Sequence, residues 1–309
     1  MYVREIGEFA LIERLAKQIE LATSSSRKKS SATSNLLVTI GDDTAAWFGN
    51  NQTELLTTDT VVEGVHFVPE TSTWQSVGWK SLASNLSDIA SMGGIPTYAV
   101  VTLGLPRDTL IQDVDNLYAG LLEAANTFGA TIIGGDIVAS PVFFMTIALT
   151  GVTMHAPMLR SNAQPGDQIA TTGTLGGSVA GLTILMSGHA QQVADPQSLI
   201  NKHQRPRPRI TEGQLLVNAG VTCATDVSDG LLINLGTICD RSGHAAHIHT
   251  TLVPIDREVI HVFPESALSM ALTGGEDYEL LFTAAPHIMA TLQSKLELEM
   301  HVIGTIEAK

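Results

Sequence analysis

Positive charge and cysteine are scarce in this chain, and long apolar runs are missing. Its 309 residues contain 17 lysines and arginines against 31 aspartates and glutamates, which gives a formal net charge of −14. Proteins that wrap nucleic acid need basic patches, so this balance argues against a nucleic-acid partner. No stretch offers the ~18 uninterrupted apolar residues that a membrane span requires, and we therefore expect no membrane partner.

The two cysteines, Cys223 and Cys239, form no Cys-x-x-Cys pair, so the sequence predicts no disulfide framework. The opening residues MYVREIGEFALIERL carry several acids and lack the apolar centre of a signal peptide. Both features lead us to expect a cytoplasmic protein.

Two familiar nucleotide-binding patterns are absent as well. The sequence has no Gly-x-x-x-x-Gly-Lys-Ser/Thr loop, because its Gly-rich segment 172–178 lacks the lysine. It also lacks the His-Arg-Asp and Asp-Phe-Gly motifs of protein kinases. A kinase built from this chain would belong to neither class.

What the chain does have is a set of aspartates beside Gly, Ser or Thr, placed where apolar runs end. They stand in segments 41–44, 57–60, 85–88, 134–136 and 226–230. Carboxylates gathered by a fold repel each other unless a cation lies among them. Carboxylate and hydroxyl oxygens are the ligands that Mg²⁺ prefers, commonly together with phosphates. The set therefore predicts an enzyme that acts on nucleotide phosphates with several Mg²⁺ ions.

Each segment taken alone also has a simpler interpretation. Asp59 can open a turn, and Ser228 can cap a helix that carries Asp229 in its first turn. Gly135 and Asp136 can form a tight turn after a strand. The metal-site hypothesis depends on all the segments occurring together in one chain.

Hydrophobic periodicity predicts a mixed α/β fold. Residues 8–22 have helical spacing, and the Ser-rich segment 23–35 is typical of a mobile linker, with a phosphate-binding arm as the alternative. On the helix over 79–90, Asp88 and Asn85 are three residues apart and share a face away from the apolar stripe. Further helices are predicted at 109–128, 178–187, 210–219 and 229–241, and strands at 36–40, 54–58, 61–68, 97–105, 131–133, 142–149, 168–171, 245–250, 277–283 and 300–306.

Residues 157–166 contain Pro157, Pro165 and Gly166, which are typical of a passage between domains. We therefore predict an N-terminal domain over 1–156 and a C-terminal α/β domain over 157–309.

The motifs together resemble the thiamine-monophosphate kinase family, in the superfamily of aminoimidazole ribonucleotide synthetase and selenophosphate synthetase. The resemblance runs from about residue 5 to about residue 306, in family order. Its more specific parts are Val-His-Phe at 65–67, Asn-Leu-Ser-Asp at 85–88 and Gly-Gly-Glu-Asp-Tyr-Glu-Leu at 274–280. Gly-Gly-Asp at 134–136 and Ser-Asp-Gly at 228–230 recur across the superfamily.

This resemblance implies ATP-dependent phosphorylation of thiamine monophosphate to thiamine diphosphate, with no covalent or general-base residue. It implies thiamine monophosphate contacts at His66 and Glu276, with K⁺ as an additional candidate cation. The implied ATP contacts are Gly135, Asp136, Arg160 and Ser228. The implied Mg²⁺ ligands are Asp43, Thr57, Thr58, Asp59, Asp88, Asp136, Asp226 and Asp229.

The resemblance also implies that the N-terminal domain, residues 1–156, binds ATP and Mg²⁺ and pairs its strands across a homodimer. It implies a two-domain fold with ATP between the domains. The family continues past the last strand into an aromatic tail, whereas this chain ends at Lys309, so we expect a less complete pocket for the thiamine rings. The alternatives are another ATP-dependent synthetase of the superfamily and a non-catalytic protein that binds nucleotide or divalent metal.

Overall fold

The computed structural model describes residues 36–38, 42–49, 52–187, 196–295 and 299–309. The predicted helix over 8–22 and the Ser-rich segment 23–35 lie outside these ranges. Within them, every helix is too short or too polar to cross a bilayer.

The described chain forms two β-sheets with helices packed against them, so the predicted mixed α/β class is confirmed. The strands are β1 (Leu36–Val38), β2 (Ala45–Phe48), β3 (Thr53–Val62), β4 (Ile95–Leu105), β5 (Thr131–Ala139), β6 (Phe144–Thr153), β7 (Gln168–Thr172), β8 (Cys223–Asp226), β9 (Ala245–Ile248), β10 (Leu280–Ala284) and β11 (Met300–Glu307). The helices are α1 (Trp74–Ser91), α2 (Ile111–Phe128), α3 (Gly177–Ser187), α4 (Pro196–Gln204), α5 (Ile210–Asn218), α6 (Leu231–Ser242), α7 (Arg257–Val262), α8 (Ala267–Thr273) and α9 (Pro286–Lys295).

The first sheet has the strand order β1-β2-β3-β6-β4-β5, in which only the β4–β5 pair is parallel among the described strands. Helices α1 and α2 cover one face of this sheet. The apolar stripe of α1, with Leu82, Leu86 and Ile89 fully buried, packs in one core with Leu55 and Leu149 of the sheet. Thr73 caps α1 by accepting a hydrogen bond from the Ser76 amide at 3.1 Å.

The second sheet has the order β8-β10-β7-β11-β9 and is antiparallel throughout its described strands. Helix α1 also reaches this part of the chain, because its Trp79 indole donates a hydrogen bond to the Pro206 carbonyl at 2.8 Å. Helix α1 therefore lies between the two sheets. The boundary between residues 156 and 157 stays a prediction.

Several predicted elements differ from the structure. The predicted strand over 61–68 is wrong, because β3 runs unbroken through Val62 and the chain then turns at Gly64, whose φ is 80°. Helix α2 begins slightly later than predicted, after Leu110, and without a side-chain cap. Strand β5 is longer than predicted, and β2, β8, α4, α7, α8 and α9 were not predicted.

Two glycines allow α1 and α2 to cross at very short distance. A Cβ on Gly78 of α1 would lie 2.0 Å from the Leu117 carbonyl oxygen, and one on Gly120 of α2 would lie 1.9 Å from the Gln75 carbonyl oxygen. Since backbone cannot give way as a flexible side chain can, the helices would have to separate to accept any side chain here.

We predict that Gly120→Ala lowers the free energy of unfolding by about 1–3 kcal/mol, the usual cost of overpacking a core. The matched control is Gly236→Ala in α6, where a Cβ would meet no atom within 4 Å. That variant should gain about 0.5–1 kcal/mol from helix propensity. Urea unfolding of both variants checks the pair, and equal stabilities would contradict the close crossing.

Candidate active site

Three carboxylates from distant parts of the chain meet beside α1. Asp43 precedes β2, Asp88 lies near the end of α1, and Asp226 ends β8. One oxygen of each lies within 4.8 Å of the others. The structure thus brings together three of the aspartate segments that the sequence singles out, although they are far apart in the chain.

Nearby hydroxyl groups point their hydrogen atoms at these carboxylates. The donor–acceptor pairs are Thr57 to Asp88 at 2.5 Å, Ser87 to Asp226 at 2.7 Å, Ser228 to Asp226 at 3.0 Å, and Ser91 to Asp43 at 2.9 Å. Ser228 is therefore no helix cap: α6 begins after Gly230 without a side-chain cap. These donors favour the ionised form of each carboxylate.

Burial and mutual repulsion oppose that ionisation. Burial is the largest cause that raises the pKa of Asp88 well above its ordinary value, followed by the charges of Asp59 and Asp226. The pKa of Asp226 rises to about 7 through burial and then the Asp43 charge. The candidate metal ligands are all oxygen atoms, and a positive charge among them would favour their ionised form. Both properties suit a hard divalent cation such as Mg²⁺.

Arg160 lies at the edge of this cluster. Its guanidinium group pairs with the Asp43 carboxylate, and its Nε donates to the Thr225 hydroxyl at 3.1 Å. Its backbone amide donates to Asp42 at 3.2 Å. Burial, and then the Asp43 charge, raises the pKa of Asp42 to about 7. Arg160 therefore supplies positive charge to a strongly acidic surrounding.

A cavity of about 420 Å³ extends from the cluster along α1. Asp88, Ser84 and Lys80 line it from the same helix. Residues four apart lie about 6 Å apart along a helix axis, so Lys80 is roughly 12 Å from Asp88 in this direction. Asp59, Asp226 and Asp229 also line the cavity, so two aspartates of the cluster and Lys80 border the same space.

At the far end, Lys80 and Glu276 form an ion pair at 2.6 Å beside His203. His66 lines the same cavity, and its Nδ1 accepts a hydrogen bond from the Val62 amide at 3.1 Å. Such a bond leaves Nε2 as the ring's donor.

The backbone at Glu276 has φ of 64°, and that at Tyr278 has φ of 52°, which non-glycine residues rarely adopt. Hydrogen bonds hold this strained loop against the segment that follows Asp226. The Glu276 amide donates to the Ser228 carbonyl at 2.7 Å, and the Tyr278 amide donates to the Val227 carbonyl at 3.0 Å. The two ends of the cavity are therefore linked through backbone.

The structure does not bring every predicted residue to the cluster. The Thr58 side chain lies on the opposite face of β3 from Thr57 and donates to the Ile147 carbonyl at 2.9 Å. Gly135 and Asp136 lie on β5, the edge strand, which β6 and β4 separate from β3. Three strand spacings amount to roughly 14 Å, so ligand roles for these residues stay predictions.

The sequence analysis assigned no role to two titratable residues of the cavity, Lys80 and His203. Lys80 could have been found, because it lies four and eight residues before Ser84 and Asp88 on one helix face. His203 gave no such signal, since it lies on α4, which the sequence did not predict.

Two family models and several curated proteins match this chain. The family model of the AIR synthase related protein N-terminal domain matches residues 41–154, and that of the C-terminal domain matches residues 164–309. The thiamine-monophosphate kinase of Escherichia coli (strain K12) is 40% identical over 288 residues, which cover 90% of this chain and 82% of that protein. That of Aquifex aeolicus (strain VF5) is 33% identical, covering 92% of this chain and 87% of that protein.

Solved structures agree with these matches. The structure of AaThiL complexed with AMPPCP and TMP has a TM-score of 0.88 at 32% identity, and the match covers 100% of this chain and 93% of that one. The thiamine-monophosphate kinase from Stenotrophomonas maltophilia K279a has a TM-score of 0.77 at 34% identity, covering 98% of this chain and 95% of that one.

We predict that the protein held in a metal chelator loses stability as the pH rises. In the folded state the pKa values of Asp42 and Asp226 are raised to about 7. Their contribution to the free energy of unfolding is therefore complete below their ordinary pKa values and is lost as the pH rises through about 7. Asp88→Asn removes one repelling charge and should make this loss smaller.

Thermal unfolding between acid and neutral pH, with chelator and then with excess Mg²⁺, measures the effect. The control is Asp115→Asn on the exposed face of α2, which should follow the wild-type curve. An Asp88→Asn curve as steep as the wild-type curve would show that the cluster does not govern this dependence.

Proposed function

This chain belongs to the thiamine-monophosphate kinase family, and we propose that it transfers the γ-phosphate of ATP to thiamine monophosphate, releasing ADP and thiamine diphosphate. The observation that carries this proposal is the cavity whose lining contains both Asp88 and Asp226 of the carboxylate cluster and the Lys80–Glu276 pair. One end suits the phosphates of a nucleotide and the other suits an organic acceptor.

Phosphoryl transfer of this kind requires positioning and charge neutralisation more than proton transfer. The acceptor atom belongs to a phosphate that is already ionised near neutral pH, so the chain needs neither a strong base nor a covalent intermediate. The chief obstacle is repulsion between two anionic phosphates. The protein's task is therefore to hold both phosphates in line and to exclude other geometries.

Mg²⁺ bound at the cluster would neutralise the phosphates and orient them, with Asp43, Asp88 and Asp226 as the central ligands. Thr57, Asp59 and Asp229 extend this proposed oxygen set along the cavity. Arg160 lies where its planar guanidinium group can bind a phosphate through two hydrogen bonds. Ser228 is the proposed ATP contact on the opposite side, beside Asp226.

At the acceptor end, Glu276 attracts the positively charged thiazolium ring. His66 has its Nδ1 engaged by the Val62 amide, so its Nε2–H is the donor available to the acceptor. Gly135 and Asp136 stay proposed ATP and metal contacts, located on the open edge of the first sheet.

We predict that ADP forms when ATP and Mg²⁺ are supplied with thiamine monophosphate. A coupled ADP-release assay should compare this acceptor with thiamine and with other phosphate monoesters. Asp88→Asn is the paired variant, and it should lose most turnover because it removes a proposed metal ligand. ADP release with formylglycinamidine ribonucleotide and none with thiamine monophosphate would reject the proposal.

We also propose that two copies of this chain associate through the open face of the first sheet, the face opposite α1 and α2. Leu56, Tyr98 and Val100 are exposed there at 39%, 56% and 43%. Threonine hydroxyls pair across the same face, as Thr60 does with Thr146 at 2.8 Å. A broad, mostly uncharged sheet face of this kind is typical of a surface that binds a second subunit.

We predict a dimeric mass in light scattering at micromolar concentration. Val100→Lys should shift the mass toward the monomer, because it places a charge in the proposed interface. The control is Leu110→Lys, which changes an exposed leucine before α2 that lies off the sheet face. A monomeric mass for the unmodified protein would contradict the proposal.

A further inference from the structure

Lys80 is the only lysine or arginine among the described residues that line the cavity. Its Nζ lies 2.6 Å from Glu276 Oε2 and 3.5 Å from both ring nitrogens of His203. The lysine side chain is 16% exposed and the glutamate side chain is 34% exposed. The two side chains therefore form a partly buried ion pair in the cavity lining at the acceptor end.

His203 is uncharged, so it does not form an ion pair with Lys80 or Glu276. Burial, and then the Lys80 charge, lowers the pKa of His203 to about 4, so the ring is neutral near neutral pH. Its Nδ1 lies 3.1 Å from the Ser178 hydroxyl. Glu276 is therefore the anionic partner of Lys80 in this part of the cavity.

The backbone of Glu276 is fixed, whereas its carboxylate depends on side-chain contacts. The strained φ and the bond from its amide to the Ser228 carbonyl set where the side chain starts. The polar groups described around the carboxylate itself are Lys80 and His203. Because the neutral ring is 3.5 Å away, the short bond from Lys80 determines the direction of the carboxylate.

The acceptor carries a positive thiazolium ring and a negative phosphate, and the Lys80–Glu276 ion pair affects the binding of both. A free carboxylate at Glu276 would attract the thiazolium ring and repel the acceptor's own phosphate. Lys80 is the only lysine or arginine among the described residues of the cavity lining, and its Nζ lies 2.6 Å from the Glu276 carboxylate. It is therefore the group placed to offset the Glu276 charge.

We propose that Lys80 is a positioning residue for the acceptor: it aims the Glu276 carboxylate at the cationic ring and balances its charge against the acceptor phosphate. This inference rests on the proposed kinase function. It assigns Lys80 an effect through Glu276, and no contact with the transferred phosphoryl group.

Lys80→Met should raise the KM for thiamine monophosphate about ten- to a hundredfold, the usual effect of losing one charged hydrogen bond. The KM for ATP and the affinity for AMPPCP should change little, because these depend on the other end of the cavity. Lys80→Arg should recover most of the loss, since it restores a charged donor. If Lys80→Met does not fold, Lys80→Gln gives the same comparison.

A double-mutant cycle separates action through Glu276 from direct binding. Glu276→Gln alone should raise the KM for thiamine monophosphate, and adding Lys80→Met to it should raise the KM little further. Multiplied losses in the double variant would show that Lys80 binds the acceptor itself and would overturn the inference. An unchanged KM in Lys80→Met would overturn it as well.

The matched control is Lys202→Met, which breaks another lysine–carboxylate pair, with Asp256, away from the cavity lining. Its KM values should equal those of the unmodified protein, and melting temperatures report any general loss of stability. If the unmodified protein releases ADP but Lys80→Met behaves as Lys202→Met does, the inference fails and the proposed function stands. If the unmodified protein does not phosphorylate thiamine monophosphate, the proposed function fails first.

Discussion

The repulsion among buried carboxylates is the constraint on which the rest of this structure depends. Asp43, Asp88 and Asp226 place oxygens within 4.8 Å of one another, and burial makes that proximity costly when they are ionised. The surrounding core must hold them there against their own charge. The hydroxyl donors and Arg160 offset part of the cost, and a cation bound at the cluster, as proposed, would offset the remainder.

Helix α1 connects this constraint to the fold. One face of the helix supplies the apolar stripe of the larger core, and another face carries Asp88, Ser84 and Lys80 along the cavity. Close crossings at glycines fix its position against its neighbours: a Cβ on Gly213 of α5 would lie 2.1 Å from the Ala90 carbonyl oxygen. Because such close packing prevents α1 from moving relative to its neighbours, the core determines the distance between the two ends of the cavity.

The loop around Glu276 connects the same two ends by a second route. Its strained backbone is held by hydrogen bonds to Val227 and Ser228, next to Asp226. Strain of this kind persists only where the surrounding structure over-determines it. The proposed metal ligand Asp226 and the proposed acceptor contact Glu276 are therefore held together through backbone, which suits a reaction that depends on holding two phosphates in line.

The sequence by itself determined the mixed α/β class, the buried stripe of α1 and the acidic, hydroxyl-rich character of the site, because these follow from local periodicity and residue chemistry. The chemical argument that such carboxylates share cations grouped the segments that contain Asp43, Asp88 and Asp226, and the family resemblance then named these residues as ligands. Strand alternation places Thr57 and Thr58 on opposite faces of β3, and tertiary structure alone decided that Thr57 is the one that meets α1. It alone placed Asp136 on an edge strand, and it alone paired Lys80 with Glu276, which are 196 residues apart in the chain. Contacts between such distant residues depend on how the sheets and helices pack, and no local pattern specifies that.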